Sequence, residues 1–180
     1  MVSTRPLILV AGIVLAAASR LMPHPPNATP IAAMALFGGA HFSNPAAAYL
    51  VPLAAMALSD LVLGFHGTLP FVYVSFALIV LIGSRLRRGK ALVPVTIAAL
   101  GSSVLFFLVT NLGVWVTSAL YPKSWAGLAA AYLAALPFFR NTVLGDLSYV
   151  VFLFGGFALL ERYLPALRED HRLGKSNFRA

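Results

Sequence analysis

Residues 46–65, AAAYLVPLAAMALSDLVLGF, are long and apolar enough to cross a bilayer, yet they carry Asp60. An ionised carboxylate at membrane depth is costly, so it has to face protein or a water-filled cavity and find a partner. Acids are scarce: of five Asp and Glu residues, Glu161, Glu169 and Asp170 sit toward the C-terminal end. The other two, Asp60 and Asp146, lie in otherwise apolar sequence. Any fold open to the chain must account for these two carboxylates.

The rest of the 180 residues is equally apolar, with 60% hydrophobic and 10% charged residues and a mean hydropathy of +0.88. A soluble domain carries about 25% charged residues. The expectation is an all-α integral membrane protein. No polar linker divides the chain, so residues 1–165 form a single transmembrane bundle and residues 166–180 a basic cytoplasmic tail. The net charge of +8 does not point to nucleic acid. Most of the Lys and Arg cluster beside apolar spans, as the positive-inside rule requires, and no basic stripe interleaved with aromatics occurs. There is no Cys, which excludes disulfides, thiolate metal sites and a Cys nucleophile. His24, His41 and His66 lack metal-ligand spacing, and Gly38-Gly39 lacks the Lys-Ser/Thr of a phosphate loop. No cofactor or metal is expected. The paired glycines suit close helix contact instead.

Taken in order, residues 6–22 form the first span. Ala16-Ala17-Ala18-Ser19 resembles a signal-peptide cleavage site, but the run continues into Arg20 and a Pro-rich loop, and Gly12-x-x-x-Ala16 offers a packing face. An uncleaved span is the expectation. Residues 23–30, PHPPNATP, cannot be helical. Residues 31–42 are apolar but would extend only roughly 18 Å against a hydrocarbon core of about 30 Å. They form a short span inside the bundle or a re-entrant segment. Asn44 caps the third span, with Pro45 at its first position. Residues 71–84 are the fourth span, starting near Leu69, and Arg85 to Lys90 are a basic stop. Residues 91–121 are the fifth, with Trp115 and Tyr121 as interfacial aromatics. Residues 126–139 are short, and Pro137 is expected to break them. Residues 142–164 are the last span, with Asn141 as its N-cap.

Placing both basic clusters inside requires an even number of crossings between them, so residues 126–139 lie at the outer surface or dip in without crossing. Six transmembrane helices follow, with an additional short outer or re-entrant helix and both termini cytoplasmic. Only Arg20, Lys123 and Arg140 then fall outside. Asp60, Asp146, Asn111, Trp115, Arg20, Arg140, Asn27 and His66 all gather at the outer end. Two acids and two arginines at one level can neutralise one another.

Each candidate has a plainer role beside the functional one. Asp60 either lines a site or holds Arg20 or Arg140 in a structural pair. Asp146 either lines the site or favours the positive end of its helix. Asn111 binds ligand or bonds a neighbouring helix. Trp115 and Trp125 suit belt anchors better than stacking platforms. Arg140 and Arg20 either clamp an anionic group or reach toward headgroups.

The segments LMPHPPNATPIAAMALFGGAHF, LSDLVLGFHGTLPFVY, LFFLVTNLGVWV and ALPFFRNTVLGDLSY resemble a family of small bacterial membrane proteins. More loosely, they resemble the substrate-binding S components of energy-coupling-factor vitamin transporters, nearest to solitary cobalamin-transporting, BtuM-like members. The resemblance runs from about Arg20 to Phe154. It implies an S-component-like six-helix bundle in the bacterial inner membrane, with a substrate cavity open to the outside. The cavity would be lined by loops at 23–30, 64–70 and 121–140, and an energy-coupling module would be the partner. Some cobalamin-type members ligate cobalt through a cysteine, which this chain lacks; His66 would have to replace it.

The resulting expectation is a non-enzymatic membrane protein that binds or transports a small vitamin-like molecule, a corrinoid being the first choice. Arg20, Asn27, Asp60, His66, Asn111, Trp115, Arg140 and Asp146 would line its cavity. The rivals are an intramembrane enzyme, using Asp60 or Asp146 with His66 as an acid–base pair, and a non-catalytic membrane assembly protein.

Overall fold

The computed structural model describes residues 4–86 and 91–168. The basic run from Arg87 to Lys90 and the tail from Glu169 onward lie outside the described residues. The described chain is helical: α1 Thr4–Ser19, α2 Ile31–His41, α3 Pro45–Leu63, α4 Leu69–Arg85 and α5 Leu92–Thr117 are followed by α6, Trp125–Tyr163. A single π turn, Val151–Gly155, interrupts α6. Three helices, α3, α5 and α6, are long and apolar enough to cross a membrane, which marks the chain as a membrane protein. The other three are apolar but shorter.

The short helix α2 is the centre of the molecule. All 11 of its residues are buried, and it packs against each of the other five helices. Its length, about 17 Å at 1.5 Å per residue, is therefore no handicap, because protein encloses it along its whole length. Glycines permit the enclosure. A Cβ on Gly39 would sit 2.2 Å from the Val80 carbonyl oxygen of α4, and one on Gly83 would sit 2.3 Å from that of Leu36. The two backbones are in contact at this crossing. Gly38 meets the Pro52 ring of α3 in the same way, at 2.4 Å.

The remaining helices form a ring around α2, with α1 beside α3, then α4, α5 and α6 in turn. The ring closes between α6 and α1 through Ser19 Oγ and Tyr149 OH at 2.7 Å and an Arg5–Glu161 ion pair at 2.6 Å. His41, at the C-terminal end of α2, packs its ring among Phe37, Phe154 and Phe157, far from the Arg20 end of the bundle. Asn44 caps α3 as expected, accepting from the Ala46 amide at 2.8 Å, with Pro45 following.

Two expectations need correction. Residues 126–139 are not a separate outer helix; they are the first part of α6, which continues through Pro137. Tyr132 OH donates to the Leu108 carbonyl at 2.7 Å, and Phe107 packs on Phe139 with ring centroids 4.8 Å apart. This packing on α5 holds the helix together across the proline, and membrane-type helices tolerate such interruptions where neighbours re-satisfy the backbone. Asn141 is accordingly no N-cap. It lies inside α6 and donates to the Pro26 carbonyl at 3.1 Å, tying the 23–30 loop to the helix. Gly145 seats the same loop, since a Cβ there would lie 2.9 Å from Ala28 Cα.

Candidate functional site

Arg20 and Asp60 meet. Arg20 follows the last turn of α1, and Asp60 lies in the last turn of α3, where the Gly64 amide donates to the Asp60 carbonyl at 2.8 Å. Gly64, at φ 93°, then turns the chain out of the helix, a backbone setting that glycine tolerates. Arg20 Nη2 is 2.7 Å from Asp60 Oδ1, and the two side chains are 9% and 2% exposed. Nη1 donates to Ser59 Oγ and more distantly, at 3.4 Å, to the Met56 carbonyl. Tyr73 OH, from α4, donates to Asp60 Oδ2 at 3.0 Å. Both carboxylate oxygens are thus engaged, as a buried charge requires. Only Arg20 Nε is buried without a hydrogen-bond partner in this cluster.

A cavity of about 230 Å³ opens beside the pair, over the N-terminus of α2. Arg20, Asn27, His66 and Asn111 line it, along with Thr29 and Thr110. Asn27 holds a left-handed backbone at φ 64°, which asparagine accepts more readily than most residues. His66 Nδ1 lies 2.7 Å from Thr68 Oγ1. Asn111 Nδ2 donates to the Phe107 carbonyl one turn below, at 2.8 Å. A larger hollow of about 430 Å³ lies between α1 and α6, but its walls, including Gly12, Phe37 and Phe157, carry no polar side chain to orient a ligand.

Four of the eight residues expected from the sequence thus share one cavity, and Asp60 stands behind Arg20 rather than in the wall. The other three lie elsewhere. Trp115 Nε1 donates to the Pro122 carbonyl at 2.9 Å, and Lys123 sits 5.5 Å from its ring centroid, so Trp115 secures the α5–α6 turn. Arg140 is exposed on α6 and makes no ion pair among the described residues. Asp146 is 2% exposed and accepts from Ser103 Oγ at 2.7 Å, between α6 and α5. The expected convergence of two acids and two arginines therefore reduces to the single pair Arg20–Asp60. Ser59, Tyr73 and Ser103 escaped the sequence reading. Small hydroxyl residues and tyrosines are common in apolar helices, and only the packing of α1 on α3, of α3 on α4 and of α5 on α6 gives Ser59, Tyr73 and Ser103 their partners Arg20, Asp60 and Asp146.

A family profile described as "Family of unknown function (DUF6580)" matches residues 2–167. The chain belongs to the DUF6580 family. No curated protein and no solved structure matches it. The matched region includes all six helices, the cavity and both buried acids of this DUF6580 protein.

Asp146 supplies a stability prediction for the DUF6580 bundle. Ser103→Ala removes the hydroxyl that donates to its carboxylate, and a buried acceptor deprived of its donor costs about 1–3 kcal/mol. A fall in the thermal midpoint of the purified protein in detergent is the expected outcome. Ser148→Ala, on the exposed face of the same helix, is the control and should leave the midpoint in place.

Proposed function

We propose that this protein is a membrane-embedded binding protein that takes up a small vitamin-like molecule through the cavity over α2. The observation that carries this reading is a polar-walled hollow, containing Arg20, Asn27, His66 and Asn111, in a bundle whose buried residues are mostly apolar. Concave sites with a few convergent polar groups are where small ligands bind. The central position of α2 supports a rigid floor, and the 23–30 loop and 64–68 turn supply the rim. In the full proposal the six helices cross the bacterial inner membrane as an S-component-like bundle. The cavity opens outward, both termini are cytoplasmic, and uptake is driven by a separate energy-coupling module, since the sequence carries no ATPase motif. The cavity volume of about 230 Å³ favours a ligand smaller than a corrinoid, because pockets for drug-sized ligands run to about 300–1,000 Å³.

The enzyme reading draws less support. Asp60 is bonded to Arg20 and Tyr73, Asp146 to Ser103, and His66 to Thr68. No hydrogen bond joins either acid to the imidazole among the described residues.

Mass spectrometry of small molecules retained by the protein on mild purification tests the proposal. The expected result is one compound enriched over an unrelated membrane protein purified in parallel, and lost in Asn111→Leu. A preparation with no enriched compound would count against binding. One whose retained compound survives Asn111→Leu unchanged would move the site away from this cavity.

A further inference from the structure

The seam between α1 and α6 is latched at its two ends and hollow between them. Ser19 meets Tyr149 at one end, and Arg5 meets Glu161 at the other. The space of about 430 Å³ between these contacts runs from an exposed rim at Leu15 and Phe152 down to Phe37 of the central helix, which is 2% exposed. Two features of the sequence keep it open. Gly12 and Gly156 both line it. Small residues normally let helices close on one another, but here a Cβ on Gly12 would reach only Leu153 Cδ2, at 3.6 Å, and one on Gly156 would meet nothing within 4 Å. The π turn at Val151–Gly155 then supplies Phe152 and Leu153 to the α6 wall, and such turns inside α-helices are frequent at functional sites.

We propose that this hollow binds one anionic phospholipid of the surrounding bilayer, with an acyl chain in the hollow and the headgroup at its Arg162 end. The site is separate from the cavity over α2 and does not depend on it. Size and chemistry select the occupant. The wall side chains offer water no hydrogen bond, and a space left empty forfeits the dispersion contacts of its lining. The walls extend over residues 8–15 of α1 and 152–160 of α6, about 10–12 Å at 1.5 Å per residue. One leaflet of hydrocarbon, half of a core about 30 Å thick, is about 15 Å deep, so the hollow suits a chain from a single leaflet. Over its length a volume of about 430 Å³ is a channel roughly 6–7 Å wide. That is too narrow for a partner helix, which measures about 10–12 Å across with its side chains.

The apolar walls cannot orient a ligand, but the charged end of the seam can. Arg5 stands 5.2 Å from the ring centroid of Phe157, a wall residue, so the charged groups continue directly from the hollow. Arg162 lies three residues beyond Leu159, on the same side of α6. Arg168 folds back beside it, donating to the Glu161 and Arg162 carbonyls at 3.1 and 3.4 Å. Arg5 is matched by Glu161, whereas Arg162 and Arg168 make no ion pair among the described residues. Three arginines against one glutamate leave a formal charge of +2 at this end. Basic groups beside membrane helices attract anionic headgroups.

The test uses the full-length protein in detergent, with phosphatidylglycerol and phosphatidylcholine of identical chains added in equal amounts. Native mass spectrometry counts the lipids that stay bound. One phospholipid per protein is expected, with phosphatidylglycerol favoured about tenfold or more. Gly156→Leu puts a side chain into the hollow from a helical backbone, without a clash at its Cβ, and exchanges a poor helix former for a good one. It should keep the thermal midpoint and lose the bound lipid. Gly101→Leu, equally unhindered on the exposed face of α5, is the control and should retain it. Arg162→Gln combined with Arg168→Gln should remove the preference between the two lipids. Asn111→Leu, in the other cavity, should leave the lipid bound. No retained lipid, equal retention of both lipids by the unaltered protein, a preference that survives loss of both arginines, or a lipid count unchanged in Gly156→Leu would each overturn the proposal. A dimer that forms without lipid and is broken by Gly156→Leu would overturn it in favour of a second copy of the chain.

Discussion

Gly39→Val is expected to prevent assembly of the bundle. The new Cβ would lie 2.2 Å from the Val80 carbonyl oxygen and 2.9 Å from the Ser84 amide nitrogen, both backbone atoms of α4. A flexible side chain could swing aside; a helix backbone cannot. Nor can α2 retreat, because every one of its residues is buried against another helix. Overpacking of a side-chain core typically costs about 1–3 kcal/mol, and displacement of a central helix should exceed that range. Close packing is also a main source of helix association in lipid, where no hydrophobic gain separates protein from solvent. The measurement is the yield of monodisperse protein on gel filtration in detergent, with the thermal midpoint of whatever survives. Gly101→Val is the control, since a Cβ at Gly101 meets nothing within 4 Å. Equal yields and midpoints for the two variants would show that the α2–α4 crossing is looser than described.

The glycine pair in this crossing was visible in the sequence, and so were the short length of α2 and the cap at Asn44. The enclosure of α2 was not. In a soluble helix an apolar stripe tells which face is buried, but a helix apolar all round suits lipid and protein alike. Pro137 misled for a related reason. In water a mid-helix proline ends most helices; here α5 packs along α6 and carries it through. That continuity explains why two of the four expected charges do not meet. Once residues 125–163 are one helix, Arg140 and Asp146 stand six residues apart, roughly 120° from facing the same way at 3.6 residues per turn. Asp146 then turns inward to Ser103 and Arg140 outward. Arg20 directly follows α1 and Asp60 lies in the last turn of α3, so no such geometry separates them. The need of a buried acid for a cation made an ion pair at Asp60 legible, but the sequence left Arg20 and Arg140 open as its partner, and only the packing of α1 on α3 selects Arg20.

Removing one member of that pair is the other severe perturbation. Asp60→Asn leaves the Arg20 guanidinium about nine-tenths buried with no counter-ion, and Arg20→Gln leaves the Asp60 carboxylate with only Tyr73 to donate to it. Breaking a buried ion pair from one side costs about 3–5 kcal/mol, which for a chain of this size corresponds to a fall in thermal midpoint of roughly 6–20 °C. The double variant should recover most of the loss. The neutral amides can still bond each other, and Tyr73 and Ser59 keep partners of the right kind. Thermal midpoints of all four proteins in one detergent form the cycle, and the double variant is expected to lie above both singles. Additive losses would mean that the two side chains do not interact, which the 2.7 Å contact forbids if the bundle is packed as described. Recovery of stability without recovery of ligand retention would divide the two roles of the pair. The fold needs the charges only to be matched, since a neutral replacement serves it nearly as well. On the binding proposal the cavity over α2 also uses this guanidinium, which stands in its wall and is held by Asp60 and Ser59.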